Sequence, residues 1–133
     1  MNLARYTLKR RLLWLAIAWS LVGTVTYLSL APLAVPLPAE GGDKYAHIAT
    51  YAVLMFWFAQ IYNGVRPRIA IAVGLAALGV GLEYLQGYTG YRTFEYADMV
   101  ANAAGVVVGW LIAPPRTPNF LVRVDRLVNP SGW

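Results

Sequence analysis

The stretch GDKYAHIATY, residues 42–51, sets an acid, a base and the chain's one histidine at the mouth of an apolar run. Asp43 and His47 are four residues apart, so a helix would place them on one face. A carboxylate beside an imidazole suits proton transfer near neutral pH, and Lys44 next to them suits an anion such as phosphate. Further along, Glu83 and Gln86 stand at i, i+3 in GLEYLQ, while Asp98 and Asn102 stand at i, i+4 in YADMVANAAG. Arg92 and Glu95 lie between those two motifs.

Two chemistries can be built from these groups. In an enzyme, His47 would act as general base held by Asp43 or Asp98, with Glu83 activating water and Lys44 and Arg92 on a phosphate. His47, Glu83 and Asp98 are therefore the catalytic candidates. No serine stands in the motifs, and the hydroxyls nearby are Thr50, Thr89, Thr93 and tyrosines. In a binding module the same cations, carboxylates and amides would hold a lipid or lipid-linked headgroup, which requires cations and donors but no nucleophile. The binding reading is preferred and the enzyme reading stays open, beside a third in which the groups only pin helices together. His47, Glu83 and Asp98 are acceptable metal ligands, but the histidine is single and no HxxxH spacing exists, so no metal and no cofactor is assigned.

The elements that must position these groups are apolar. Of 133 residues, 59% are hydrophobic and 13% charged, and the mean hydropathy is +0.51. A soluble domain carries roughly 25% charged residues, so the chain reads as an all-α integral membrane protein. Four segments, about 12–31, 45–62, 68–86 and 97–113, approach the ~20 residues that cross a bilayer as a helix. The first resembles a signal peptide, with basic residues before it and small ones at its end, but it is long for a signal core and is read as retained. Cysteine is absent, which removes disulfides and thiolate chemistry together.

Arg5, Lys9, Arg10, Arg11, Arg66, Arg68, Arg116, Arg123 and Arg126 fall to one side of such a bundle, and Lys44 and Arg92 to the other. By the positive-inside rule both termini, including the basic residues 1–11, are cytoplasmic and the motif-bearing loops face outward. The net charge of +5 is then topological, and no nucleic-acid partner is expected. Tyr27, Tyr45, Tyr84, Tyr88, Tyr91 and Tyr96 gather near the outer boundary as an aromatic belt would. Residues 114–133 form a cytoplasmic tail. In it Phe120, Leu121, Val124, Leu127 and Val128 recur at helical spacing with Arg123 and Arg126 opposite, a short amphipathic helix lying on the membrane surface. Asp125 is expected out in that tail.

Gly105 and Gly109 make a GxxxG spacing, expected to let the third and fourth helices approach and bring Glu83 near Asp98; a homodimer is the other use of such a motif. The expected partners of Glu83 and Asn102 are Lys44, Arg92 and His47.

The pattern D-K-x-x-H-x-x-x-Y, then E-x-x-Q, then R-x-x-x-x-x-D-x-x-x-N-x-x-G resembles that of the VanZ-like membrane proteins. It is met by Asp43, Lys44, His47 and Tyr51, by Glu83 and Gln86, and by Arg92, Asp98, Asn102 and Gly105. The likeness covers residues 43 to about 110 and leaves the first helix and the tail outside it. It implies a link to lowered susceptibility to glycopeptide antibiotics such as teicoplanin; the residues themselves are read as a multi-pass protein of the bacterial cytoplasmic membrane with a ligand site on Asp43, Lys44, His47, Tyr51, Glu83, Gln86, Arg92, Asp98 and Asn102. Membrane lipids, a polyprenyl-phosphate-linked envelope precursor or a lipoglycopeptide are the partners in view.

Overall fold

Helix is the element order from end to end: α1 (Arg11–Leu30), α2 (Gly42–Ile61), α3 (Val65–Tyr88), α4 (Tyr96–Leu111) and α5 (Phe120–Val128). The computed structural model describes residues 7–31, 42–90 and 94–128, without the side chains of 42 and 43. Among those residues there is no strand. The helix α3 extends beyond the expected 68–86 at both ends, and α2 begins early enough to carry Asp43 and Lys44 in its first turn. Both α1 and α3 are long and apolar enough to cross a membrane, and α4 is a shorter apolar helix.

The starts of α1 and α3 and the ends of α2 and α4 meet at one end of the bundle. Arg68 ties three of these together. Its guanidinium donates to Tyr62 O at 2.8 Å, to Ala59 O at 2.8 Å and to Pro114 O at 2.7 Å. Ala59 and Tyr62 lie at the end of α2, where carbonyls lack an intrahelical donor, and Pro114 lies in the turn that follows α4. Counted from sequence as a loop cation, Arg68 is instead buried. A planar fork of five donors satisfies several carbonyls at once, which is why a full charge is tolerated there.

The core lies mainly on α2, where Tyr51, Leu54, Met55, Phe58, Ala59 and Ile61 are buried, joined by Trp14, Leu75 and Val106. The tightest helix pair is α2 with α4, and glycine causes it. A Cβ at Gly105 would strike the carbonyl oxygen of Ile48, and one at Gly109 that of Ala52. The GxxxG face therefore seats α4 on α2, not on α3 as its spacing suggested. Spacing gives a face, and the partner is set by which neighbour offers a flat strip of backbone. The α3–α4 approach rests on Gly79, where a Cβ would sit 2.9 Å from Asn102 Nδ2.

Most of α1 faces outward, with only Trp14 and Ala18 buried. Its hydroxyls fold back on the helix: Ser20, Thr24 and Thr26 donate to the carbonyls of Ala16, Ser20 and Val22 at 2.7, 2.8 and 2.9 Å. Such bonds hide polar atoms from an apolar surround.

The tail corrects the sequence expectation most. Asn119 Oδ1 accepts from Val122 N at 3.0 Å and caps the start of α5. The helix then packs with Leu121, Val122 and Asp125 buried, while Phe120, Val124, Leu127 and Val128 stay exposed. Asp125, expected out in the tail, has no exposed surface. It accepts from Lys9 N at 2.8 Å, from Arg10 N at 3.1 Å and from Trp14 Nε1 at 3.1 Å. A carboxylate at the start of α1 satisfies unpaired N–H groups and faces the positive end of the helix dipole. Hydrophobic spacing missed this because the buried face of α5 is partly polar.

Candidate functional site

At the opposite end of the bundle, the first turns of α2 and α4 and the last turns of α3 bring their polar side chains together. Lys44 enters from α2, and its Nζ stands 2.6 Å from Asp98 Oδ1 of α4. That oxygen accepts no hydrogen bond of good geometry, so the ammonium is its charge partner. Lys44 also pairs with the carboxylate of Glu95, the residue preceding α4. One turn further along α2, His47 Nδ1 lies 2.8 Å from Asn102 Oδ1, and Nε2 lies 3.7 Å from Asp98 Oδ2. The imidazole is thus held by Asn102 at Nδ1, and its Nε2 faces the Asp98 carboxylate of the same helix beyond hydrogen-bond distance. Asp98 and Asn102 can do this because their i, i+4 spacing on α4 matches that of a single helix face.

Glu83 lies beneath, at 1% exposure. Its carboxylate was expected on a cation; it accepts from the backbone N–H of Glu95 at 2.7 Å. This bond fixes the segment leading into α4. Phe94 reinforces it from the other side, with its ring 5.1 Å from that of Tyr84 and 4.8 Å from that of Tyr96. Gly87 makes room, since a Cβ there would sit 3.1 Å from Phe94 Cβ.

The sequence-selected residues divide into three groups. Lys44, His47, Glu83, Asp98 and Asn102 form one cluster. Tyr51 is buried below it against Gly105, and Gln86 turns away to donate to Ser29 O of α1 at 2.7 Å. The side chain of Asp43 and the whole of Arg92 lie outside the described residues. Glu95 was noted in the sequence only as a loop acid, yet it touches both Lys44 and Glu83. Its one signal was its position immediately before the helix that carries Asp98. Tyr27, Tyr45, Tyr84, Tyr88 and Tyr96 are all exposed. Tyr91 is outside the described residues.

The cluster combines a partly exposed ammonium, an imidazole and three carboxylates, which suits moving a proton, while the ammonium alone could hold an anion in exchange for one of its carboxylates. Among the described residues no three His, Cys, Asp or Glu side chains gather as metal ligands. A separate groove of about 300 Å³ lies between α1, α2 and α3, lined by Trp19, Val22, Phe58, Leu75 and Leu78 among others. It is apolar and holds no ionisable group, so it is not where the chemistry sits.

Comparison with known proteins agrees with the motifs. An uncharacterized protein of Schizosaccharomyces pombe is 34% identical over 89 residues, which cover 65% of this chain and 53% of that one. The chain thus spans about half the length of this curated relative. No solved structure matches. The profile of the VanZ/LLP1 family matches residues 4–121, nearly the whole chain, and the chain belongs to that family.

Proposed function

We propose that this is a multi-pass membrane protein in which α1 to α4 cross the bilayer and the Lys44–His47–Glu83–Asp98 cluster forms an outward-facing pocket for a phosphate-bearing lipid headgroup. The observation that carries the reading is the placement of Lys44. Its ammonium reaches the exposed rim while Asp98, buried beneath, holds it in position. An ammonium at a headgroup boundary can exchange an exposed carboxylate partner for phosphate, and the apolar bundle below suits the attached chains. The basic residues at the other end favour a cytoplasmic position for that end. In a bacterium the membrane would be the cytoplasmic one, and a phospholipid, a polyprenyl phosphate or a lipoglycopeptide would each present the required head and tail. The family's link to teicoplanin enters only through the last of these.

A second reading is favoured by His47, whose two nitrogens face Asn102 and Asp98. An imidazole oriented in this way can act as general base on water for hydrolysis or transfer at a lipid-linked phosphate. Native mass spectra of the detergent-purified chain beside Glu83→Ala and His47→Ala test the pocket. A retained lipid lost from both folded variants supports it; lipid kept at wild-type level in both removes it. The enzyme reading gains if His47→Gln retains the lipid but loses turnover of a polyprenyl phosphate.

A further inference from the structure

We infer that the Glu95 carboxylate is a built-in stand-in for the ligand's phosphate: it occupies the outward side of Lys44 and is displaced when an anionic phosphate group binds. This rests on the headgroup pocket proposed above and names the chemical class and the competitor within it.

The two acids on Lys44 differ in kind. The side chain of Asp98 is 9% exposed and that of Glu95 44%, with Lys44 between them at 28%. Breaking the buried contact would strand a charge, whereas a pair this exposed is weak and exchanges with solvent. An incoming anion therefore replaces Glu95 and leaves Asp98 in place. Glu95 is built for such an exchange. It holds the N-cap position of α4 in extended conformation, φ −141° and ψ 124°, yet its side chain makes no cap hydrogen bond. The acid that caps a helix start is ordinarily the shorter Asp, so the Glu95 side chain is not committed to the first N–H groups of the helix. Here the side chain reaches across to Lys44 instead, and the helix start keeps Asp98 as the acid of its first turn. Once displaced, the carboxylate can turn into solvent, to which its side chain is already 44% exposed. Its backbone need not move, because Glu83 holds its N–H and the Phe94 ring is packed between Tyr84 and Tyr96.

The test titrates dioctanoyl phosphatidic acid, inorganic phosphate and uncharged dioctanoylglycerol into the purified full chain, its Glu95→Gln variant and its Lys44→Gln variant. Glu95→Gln removes the competing charge and keeps the backbone bond to Glu83. Phosphatidic acid should bind that variant about tenfold more tightly, a gain of about 1.4 kcal/mol, and should be lost from Lys44→Gln. A gain shared by inorganic phosphate assigns the site to the phosphate alone; a gain confined to the lipid assigns it to a headgroup with its chains. Unchanged or weaker binding by Glu95→Gln, with Lys44→Gln still defective, overturns the stand-in and leaves the pocket. If neither wild type nor Glu95→Gln binds any phosphate, or if dioctanoylglycerol binds equally well, the pocket itself falls and the stand-in with it. Should Glu95→Gln lose its thermal transition, Glu95→Ala, which also removes the charge and keeps the backbone N–H, must show the same gain.

Discussion

Asp125 and Trp14, separated by most of the chain, are joined by a 3.1 Å hydrogen bond in which the indole donates to a carboxylate with no exposed surface. The same carboxylate receives the backbone N–H groups of Lys9 and Arg10, so one side chain of the tail closes the start of the first helix. Replacing it by alanine leaves the buried Trp14 indole N–H without this acceptor, at a cost of about 1–3 kcal/mol, and removes a bond from two part-buried backbone N–H groups. Asp125→Ala should lower the thermal midpoint in detergent by several degrees and shift the fluorescence of Trp14, and Asp125→Asn should do so less. A midpoint equal to wild type in Asp125→Ala would show that the tail does not hold α1.

This contact marks the limit of what could be read from residues alone. Apolar runs and basic flanks told of helices, because their periodicity and length are local properties. The i, i+4 pairs on α2 and α4 were legible for the same reason: one helix turn fixes which side chains share a face. What pairs with what across helices was not legible. Gly105 faces Ile48 of α2 and not α3, Glu83 holds a backbone N–H and not a cation, and Arg68 closes helix ends from a buried position. Each depends on a tertiary neighbour that no spacing specifies. Asp125 was hidden for a further reason, since a charge in an amphipathic tail ordinarily faces water.

The glycines separate into two kinds with opposite predictions. At Gly105 and Gly109 a Cβ would strike α2 backbone, which cannot move aside as a side chain can. Gly105→Ala and Gly109→Ala should each destabilise the chain by about 1–3 kcal/mol, as overpacking does. Gly74 and Gly81 have nothing within 4 Å, and alanine there should be neutral or stabilising by up to about 1 kcal/mol through helix propensity. Thermal unfolding of the four single variants decides. Equal effects at all four sites would remove the close α2–α4 seam as the cause.

Arg68 should not tolerate lysine. Its three carbonyl partners belong to two separate segments of chain, and an ammonium on a flexible stem lacks the planar fork that reaches all of them. Arg68→Lys should lower the thermal midpoint with a loss of about 1–3 kcal/mol, since buried carbonyls lose their donors. Lipid binding at the distant cluster should remain in whatever fraction stays folded. A fully stable Arg68→Lys protein would mean that the helix ends find other donors.

Orientation can be measured without background, because the chain has no cysteine. Single cysteines replacing Thr89, near the cluster, and Arg66, at the basic end, should react from opposite sides of sealed membrane vesicles. Thr89→Cys should be labelled by an impermeant maleimide added outside cells, and Arg66→Cys only after lysis. Both labelling from the same side would break the proposed crossing of α3.

Glu83 separates a positioning role from a charge requirement. Its carboxylate accepts one backbone N–H, and a glutamine oxygen can accept that same bond. Glu83→Gln should therefore keep the fold and the position of Glu95, whereas Glu83→Ala should loosen the segment before α4 and lower the thermal midpoint. If the role is positioning, Glu83→Gln should bind dioctanoyl phosphatidic acid within about twofold of wild type, a difference of less than about 0.5 kcal/mol. If the negative charge itself takes part, as it would in activating water, Glu83→Gln should stay as stable as wild type and lose turnover while retaining the lipid. Wild-type stability of Glu83→Ala would contradict the positioning account, because the bond from Glu95 would then hold nothing in place.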